Sequence, residues 1–350
     1  MDYFSGIQFA PTVAMNPSDF LLDFANGVST RDSREDQTSI KRTLVCAYKA
    51  NLAQSVKAEL ELDVNFREGT EDKNVKKWPT SWWEQFSVLF RRGLKERKHE
   101  SFSGLKIVEI LAVTVITGLL WWQSDISHLQ DQVGLLYFYS EFWGFVPFFN
   151  AVFTFPQERM MLEKELSSSM YRLSSYFTAR TLGDLPMELI LPTTFFSITY
   201  WMAGLKPRPG NFFSGLFINL FNVLVSQGLG LALGAVIMDQ ESAITLGTVI
   251  MMLFLLGSGY FVQHVPKFIS WIKYISISQY VYKLLLGSQY KPGETYPCGT
   301  NETCLVEDFP SIKTLGLDGQ AISLVALAIM LVVYRLIAYL ALMRIGVIGK

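Results

Sequence analysis

The sequence predicts an all-α integral membrane protein of six transmembrane helices, with an N-terminal cytosolic helical arm and a large outer loop between spans 5 and 6. Only 17% of the 350 residues are charged and 50% are hydrophobic, whereas a soluble domain carries about 25% charged residues. The hydrophobic residues are clumped into long uncharged runs that begin only after residue 105. Six of these runs are close to the ~20 residues that a helix needs to cross a bilayer.

The net charge and the reactive residues exclude several other classes. The formal net charge is −1, with three Cys and three His, which excludes a disordered chain, a disulfide-stapled mini-protein and a basic nucleic-acid-binding protein. His99, His128 and His264 are scattered over different loops, which excludes a membrane desaturase or hydroxylase built on His boxes. No H-E-x-x-H, G-x-S-x-G or G-x-x-x-x-G-K-[ST] sequence occurs. The sequence therefore predicts no catalytic residue, no metal site and no nucleic-acid partner.

The arm is assigned to residues 1–81 and carries two predicted helices. Phe20–Phe24 follows a Ser-Asp capping signal, and Ser39–Leu62 has enough apolar periodicity for one amphipathic helix. Cys46 in this arm is expected to be a free thiol. The next segment, Trp82–Glu100, is apolar first and cationic later. It predicts an amphipathic helix along the inner membrane face, with an ordinary surface helix as the alternative.

The membrane domain is assigned to residues 82–350. Its six predicted spans are, in chain order, Leu105–Trp122, Val133–Phe155, Pro186–Leu205, Phe212–Met238, Ser242–Gln263 and Ala321–Met343. Glu141 in the second span and Arg335 in the sixth are ionisable, which is costly inside a bilayer and marks a group that faces a partner or a cavity. Gly230 and Gly234 lie four residues apart in the uncharged fourth span and predict a helix-packing face.

Basic residues in short loops orient the bundle. They precede the first span and follow the second, at Arg91, Arg92, Lys95, Arg97, Lys98, Arg159, Lys164, Arg172 and Arg180. The loop Gln123–Asp131 has no Lys or Arg. The positive-inside rule therefore places both termini in the cytosol. Lys206 and Arg208, between the third and fourth spans, would then lie outside and form one violation of the rule.

The loop between the fifth and sixth spans, residues 264–320, would face outward. It contains an N-glycosylation sequence at Asn301, flanked by Cys298 and Cys304. We expect a glycosylated site, against a chance match, and a disulfide within the chain, against a bridge to a partner subunit. Val265–Tyr290 is rich in aromatic residues and Lys. It predicts helices at or dipping into the outer interface, or else a folded cap.

Several ordered motifs along the chain resemble one family. They include Phe155–Arg159 (FPQER), Tyr171–Phe177 (YRLSSYF), Gly183–Leu189 (GDLPMEL), Asn16–Asp23, Trp82–Phe86, Gly93–Arg97 and Tyr334–Leu340. Over essentially its whole length the chain resembles the transmembrane half of G-subfamily (White-type) ATP-binding-cassette transporters, specifically plant half-size members. The resemblance implies an ABC-2-type, type V exporter-like membrane domain that works as a homodimer or as a heterodimer with another half-transporter.

The chain departs from that family because the phosphate loop, the signature sequence and the metal-binding acidic motif of the nucleotide-binding domain are missing. We therefore expect no ATPase activity from this sequence alone, and ATP and Mg would bind to a domain or partner outside it. A truncated gene model, a splice product and a stand-alone membrane subunit all remain open.

The resemblance also assigns roles to individual residues. The stretch Glu158–Ser175 resembles the coupling helix that receives force from the nucleotide-binding domain, with Glu158 and Arg159 in polar contacts there. Tyr260 and Phe261 fall at an apolar plug above the substrate cavity. That cavity lies between the second and fifth spans of both halves, and the matching residues are Phe142, Trp143, Phe145, Thr248, Met252 and Leu255. Glu141 is expected to point into the dimer interior and contact a polar substrate group or titrate, with local pairing as the alternative.

The leading function is therefore the membrane-spanning half of an exporter for amphipathic lipid-, sterol- or hormone-like molecules in the plasma membrane. The alternative is a truncated isoform that dimerises with full-length halves and regulates them without transporting. An ATP-independent channel is a third reading, which the absence of a polar stripe disfavours.

Overall fold

The structure is a computed structural model that describes residues 37–59, 78, 80–101, 104–124, 128–168, 170–262, 266–298 and 303–348. The chain divides into two compact units, Met1–Lys77 and Trp78–Lys350. In the first unit, helix α1 covers Gln37–Asn51 and residues 53–59 are helical again. The single helix predicted over Ser39–Leu62 is thus interrupted at Leu52, and the helix predicted at Phe20–Phe24 lies outside the described residues.

In the described part of the second unit, the regular secondary structure is helical apart from one hairpin. Its elements are α2 Trp82–Ser101, α3 Gly104–Leu120, α4 Leu129–Val152, α5 Thr154–Ser167, α6 Leu173–Met202, α7 Pro209–Ile237, α8 Gln240–Gly257, α9 Ile272–Ile275, α10 Ile277–Gln289, β1 Thr295–Pro297, β2 Thr303–Leu305, a 3₁₀ turn Val306–Asp308, α11 Pro310–Leu315 and α12 Gln320–Ile348.

Three helices in the described part of the chain are long and apolar enough to cross a membrane, by length and composition. They are α7, α8 and the Gln320–Arg344 part of α12. Helices α3, α4 and α6 occupy the positions of the other three predicted spans. Of these, α3 has 17 residues, fewer than the ~20 of a typical span, and α6 contains Pro186 and Pro192.

Helix α7 lies at the centre of the bundle and packs against α4, α12 and α10. Two glycines let α7 and α4 approach closely: a Cβ on Gly230 would lie 2.3 Å from the Phe148 carbonyl oxygen, and one on Gly234 would lie 2.4 Å from the Val152 oxygen. Both distances are far shorter than any carbon–oxygen contact. The packing face predicted from these two glycines is confirmed.

Helix α2 covers the segment predicted to be an amphipathic helix. It packs along α6. The indole Nε1 of Trp82 donates to Ser174 Oγ at 3.1 Å. The side chain of Gln85, which is buried, accepts hydrogen bonds at its Oε1 from the Ser175 hydroxyl and the Arg172 backbone N–H, both at 3.1 Å. These polar contacts fix where α2 sits along the start of α6.

The segment between α8 and α12 is partly inside the bundle. Helix α10 packs against α7, α12 and α4, because Val281, Leu284 and Leu285 form a buried apolar stripe at helical spacing. The preceding turn differs: Phe268 and Tyr274 are exposed, as expected of an interfacial segment. Within Val265–Tyr290, the described residues before α10 thus have the exposed aromatic side chains expected at a membrane interface. Helix α10 is instead part of the bundle.

Candidate functional site

The end of the bundle formed by α2, α5 and α6 carries a partly buried ionic junction. Glu158 on α5 pairs with Arg180 on α6 at 2.6 Å and also accepts a hydrogen bond from the Tyr176 hydroxyl. Arg180 lies 3.8 Å from Asp184 one turn further along α6. Side chains at the 158–180 pair are only 19% and 10% exposed, so Glu158 points into the junction. Arg159, in contrast, pairs with Glu163 on the exposed side of α5.

A second ionic contact ties α2 to α5. Arg92 Nη1 donates to Glu165 Oε1 at 3.0 Å, and Glu165 Oε2 accepts from the Tyr171 hydroxyl at 2.5 Å. Burial, followed by the hydrogen bond to and charge of Glu165, raises the pKa of the Tyr171 phenol. Burial and the charge of Glu158 likewise raise the pKa of Tyr176. Both phenols therefore remain hydrogen-bond donors at neutral pH.

The sequence predicted a coupling helix over Glu158–Ser175, and the structure divides this stretch between α5, which ends at Ser167, and the start of α6 at Leu173. The polar contacts expected of Glu158 are made within the chain, to Arg180 and Tyr176. Arg92 and Arg180 were counted from the sequence only as basic residues that orient the bundle. Their pairing with Glu165 and Glu158 was not predicted, because a charge pattern does not show which helices meet.

The predicted cavity residues on α4 occupy different surroundings. Trp143 is buried and packs edge-on against Phe195 of α6, at 5.6 Å between ring centroids. Phe142 stacks on the same Phe195 ring at 5.3 Å. Phe145 is half-buried and lies beside Phe149 at 6.1 Å. Within one chain, Phe142 and Trp143 therefore contribute to the contact between α4 and α6, and Phe145 keeps part of its surface open.

Glu141 lies one helical turn from Phe145, on the same face of α4. It is 7% exposed, and neither carboxyl oxygen has a hydrogen-bond partner of good geometry. Its polar neighbours are the Tyr137 hydroxyl and Ser278 on α10.

The predicted cavity residues on α8 share one face, since Thr248, Met252 and Leu255 follow at spacings of four and three. Thr248 and Met252 are exposed and Leu255 is half-buried. The neighbouring Gly247 and Met251 contact α4, through Phe148 and Gly144. The structure thus places the α8 residues beside α4, on a face that the single chain leaves open.

The two predicted plug residues belong to a larger aromatic cluster. Tyr260 stacks on Tyr137 at 4.3 Å, and Phe261 meets the same ring edge-on at 5.5 Å. Tyr282 of α10 completes the cluster, at 5.4 Å from Tyr137. The Tyr137 hydroxyl donates to the Leu255 carbonyl at 3.0 Å, which links α4 to the end of α8. Tyr137 was missed from sequence, since a tyrosine in an aromatic-rich span carries no signal of which face it occupies.

The segment between α10 and α12 contains the two paired cysteines. Strands β1 and β2 are antiparallel with Tyr296 opposite Cys304, and Cys298 is joined to Cys304 by a disulfide. Asn301 lies outside the described residues. Lys206, from the α6–α7 loop, pairs with Glu294 beside the hairpin at 2.5 Å and lies 4.9 Å from the centre of the Tyr290 ring. Cys46 is free and exposed.

Among the residues that the structure describes, no group of three or more His, Cys, Asp or Glu side chains could hold a metal ion. The features that remain are those of a transport domain: helices able to span a membrane, an open apolar face on α8 and an ionic junction at one end. Residues 84–290 match the family of the ABC-2 type transporter. The chain belongs to this family of membrane transport domains.

Two relatives in Arabidopsis thaliana align with nearly the whole chain. ABC transporter G family member 21 is 52% identical over 98% of this chain and 54% of its own length. ABC transporter G family member 14 is 50% identical over 99% of this chain and 55% of its own length. Protein white of Drosophila melanogaster is 26% identical over 98% of this chain and 51% of its own length. The chain thus spans about half the length of these curated relatives and corresponds to a G-subfamily membrane domain.

Proposed function

We propose that the chain is the membrane-spanning half of an ATP-driven exporter of amphipathic lipid-, sterol- or hormone-like molecules. The observation that carries the proposal is the face of α8 with Thr248, Met252 and Leu255, which is apolar, open and adjacent to α4. In a dimer, two such faces would enclose a cavity suited to flat, apolar ligands, since Met adapts its shape and aromatic rings offer stacking surfaces.

The finer topology belongs to the same proposal. The chain would cross the plasma membrane six times, through α3, α4, α6, α7, α8 and α12. Both termini would lie in the cytosol, and the α9–α11 segment would lie on the outer side. Glycosylation of Asn301 follows from this orientation. The test is the size of the protein with and without glycosidase treatment. The untreated chain should run larger than both the treated chain and an untreated Asn301→Gln variant, and identical sizes would contradict the proposal.

ATP and Mg would bind to a nucleotide-binding domain outside this sequence, in the same polypeptide or in a partner. The ionic junction of α2, α5 and α6 supports this part, because Glu158 and Arg92 tie α5 rigidly to two long helices. Motion applied to α5 would then be passed to α6 and the bundle.

The experiment compares inside-out vesicles that contain the chain alone, the chain with full-length Arabidopsis member 21, and the full-length protein alone. Uptake of a fluorescent sterol and a fluorescent short-chain phosphatidylcholine is measured with and without ATP. We expect ATP-dependent uptake to rise when the chain accompanies its partner. Met252→Trp in the chain should lower that gain, whereas Val332→Trp, on α12, should not.

The alternative function is a non-transporting isoform that dimerises with full-length halves and regulates them. The open face of α8 favours dimerisation in either case. The same experiment separates the two, because a regulator would reduce uptake by the full-length protein. ATP-dependent uptake by the chain alone would contradict both.

A further inference from the structure

Glu141 is a carboxyl group buried within the bundle without a cation beside it. The residue is 7% exposed and forms no ion pair among the described residues, where every salt bridge involves other carboxylates. The titratable groups that face its surroundings are the phenols of Tyr137 on the same helix, Tyr260 after α8 and Tyr282 on α10. None of these groups carries a charge at neutral pH.

An ionised carboxylate in this position would be unstable. Removing a charge from water is strongly unfavourable unless a counter-charge or several hydrogen bonds compensate for it, and both Glu141 oxygens lack a well-placed donor. A neutral carboxylic acid loses much less on burial and can itself donate one hydrogen bond. The arrangement around Glu141 therefore suits the acid form.

We propose that Glu141 is a proton-binding site inside the membrane domain, occupied in this closed arrangement and emptied when the aromatic cluster around Tyr137 opens. The hydrogen bond from Tyr137 to the Leu255 carbonyl and the stacking of Tyr137 on Tyr260 close the bundle over this site. Separation of α4 from α8 would break both contacts and admit water. The carboxylic acid would then release its proton to that water and become a hydrated carboxylate.

Proton binding at Glu141 does not require that the chain export anything, although a role for it in the transport cycle rests on the proposed function. Glu188 is the matched comparison, since it also lies in a predicted span but has the charge of Arg335 nearby. The neighbouring guanidinium favours the ionised form of Glu188.

The test is infrared spectroscopy of the purified chain in lipid nanodiscs at pH 7, comparing the natural protein with Glu141→Gln and Glu188→Gln. We expect the first variant to lose the carbonyl absorption of about one protonated carboxyl per chain, and the second to lose carboxylate absorption only. Loss of carboxylate absorption in Glu141→Gln would overturn the proposal.

Folding of the variant is itself informative. Gln has nearly the shape of the neutral acid and also donates a hydrogen bond, so Glu141→Gln should melt within a few degrees of the natural protein. Failure of this variant to fold would overturn the proposal, because it would mean that the negative charge is needed. Neither measurement depends on transport, so a chain that exports nothing would contradict the proposed function while the spectra still decide the state of Glu141.

Discussion

At the scale of single residues, exposure decides what each ion pair contributes. The Arg159–Glu163 pair on α5 is about half exposed on both sides, where solvent and salt screen the attraction. The Glu158–Arg180 pair, which joins α5 to α6, is mostly buried, so removal of one partner leaves the other desolvated. The two glutamates therefore have different roles, although they are five residues apart. Glu158 positions α5 against α6, whereas Glu163 forms an ion pair on the exposed side of α5.

Replacement of Glu158 by Gln should destabilise the protein by about 2 kcal/mol, because Arg180 would lose its shorter ion pair and Tyr176 would lose its charged acceptor. Replacement of Glu163 by Gln is the control on the same helix, with an expected change below ~0.5 kcal/mol. Thermal unfolding of both variants in the same nanodiscs, followed by tryptophan fluorescence, measures the difference. Equal melting temperatures would contradict the inward role of Glu158.

The contact of Lys206 with Glu294 explains a departure from the positive-inside rule. Lys206 and Arg208 lie on the side predicted to face outward, but Lys206 is held by Glu294 and the Tyr290 ring. Burial acts to raise the pKa of Glu294, but the hydrogen bonds from Lys206 and from the Lys291 backbone N–H outweigh it and lower that pKa. Lys206 thus forms a structural ion pair with Glu294.

The lowered pKa of Glu294 predicts a pH dependence with a definite sign. The contact should contribute full stability above about pH 4.3, the ordinary pKa of Glu, and lose it as the pH falls through the lower folded value. The melting temperature of the natural protein should therefore exceed that of Glu294→Gln at pH 6, and the two should converge in more acidic buffer. A difference that persists unchanged to low pH would contradict the ion pair.

At the scale of helices, the close approach of α4 and α7 depends on two glycines, because a residue with a Cβ would collide with the facing backbone. Gly230 and Gly234 face the carbonyl oxygens of Phe148 and Val152, so the two backbones are in direct contact. Gly228, on the same helix, is different, because a Cβ there would meet its nearest atom at 3.6 Å. That distance is an ordinary van der Waals contact.

Gly230→Ala should lower stability by about 2–3 kcal/mol, since the added methyl group forces apart two backbones that are themselves fixed by packing. Gly228→Ala should be neutral or slightly stabilising, because Ala favours the helix by up to ~1 kcal/mol over Gly. Chemical denaturation of the two variants in mixed micelles gives the comparison. The packing face would be contradicted if both substitutions had the same effect.

The helices and the glycine contact could be predicted from sequence because both depend on local features. Length, hydropathy and the spacing of small residues are readable without knowing which helices meet. The inward orientation of Glu158, the cluster around Tyr137 and the burial of α10 were not predicted, since each depends on pairings between segments far apart in the chain. Val281 and Leu285 follow a helical pattern, but the same pattern fits an interfacial helix, and only the packing against α7 and α4 decides between them.

At the scale of the whole molecule, the open face of α8 is the feature that a single chain does not explain. Met252 on this face is exposed, and α8 exposes further apolar residues beside it, Leu246, Val249, Leu253 and Leu256. Other helices also expose apolar residues, as expected for surfaces that contact lipid. The α8 face is distinguished because it continues onto α4 and carries the residues that resemble the substrate cavity of the family. We predict that a second half with the same face would complete the proposed cavity.

This arrangement predicts that Met252 approaches its counterpart in a second copy. In a Cys46→Ser background, Met252→Cys should give a disulfide-linked dimer on mild oxidation, which a reducing agent converts back to monomer on a denaturing gel. Val332→Cys is the matched control, since Val332 is 66% exposed, compared with 49% for Met252, but lies in a groove between α12 and α6. Cross-linking at Val332 with none at Met252 would place the subunit contact elsewhere. Cross-linking of Met252 only to a co-expressed full-length half, and never to itself, would identify the assembly as a heterodimer.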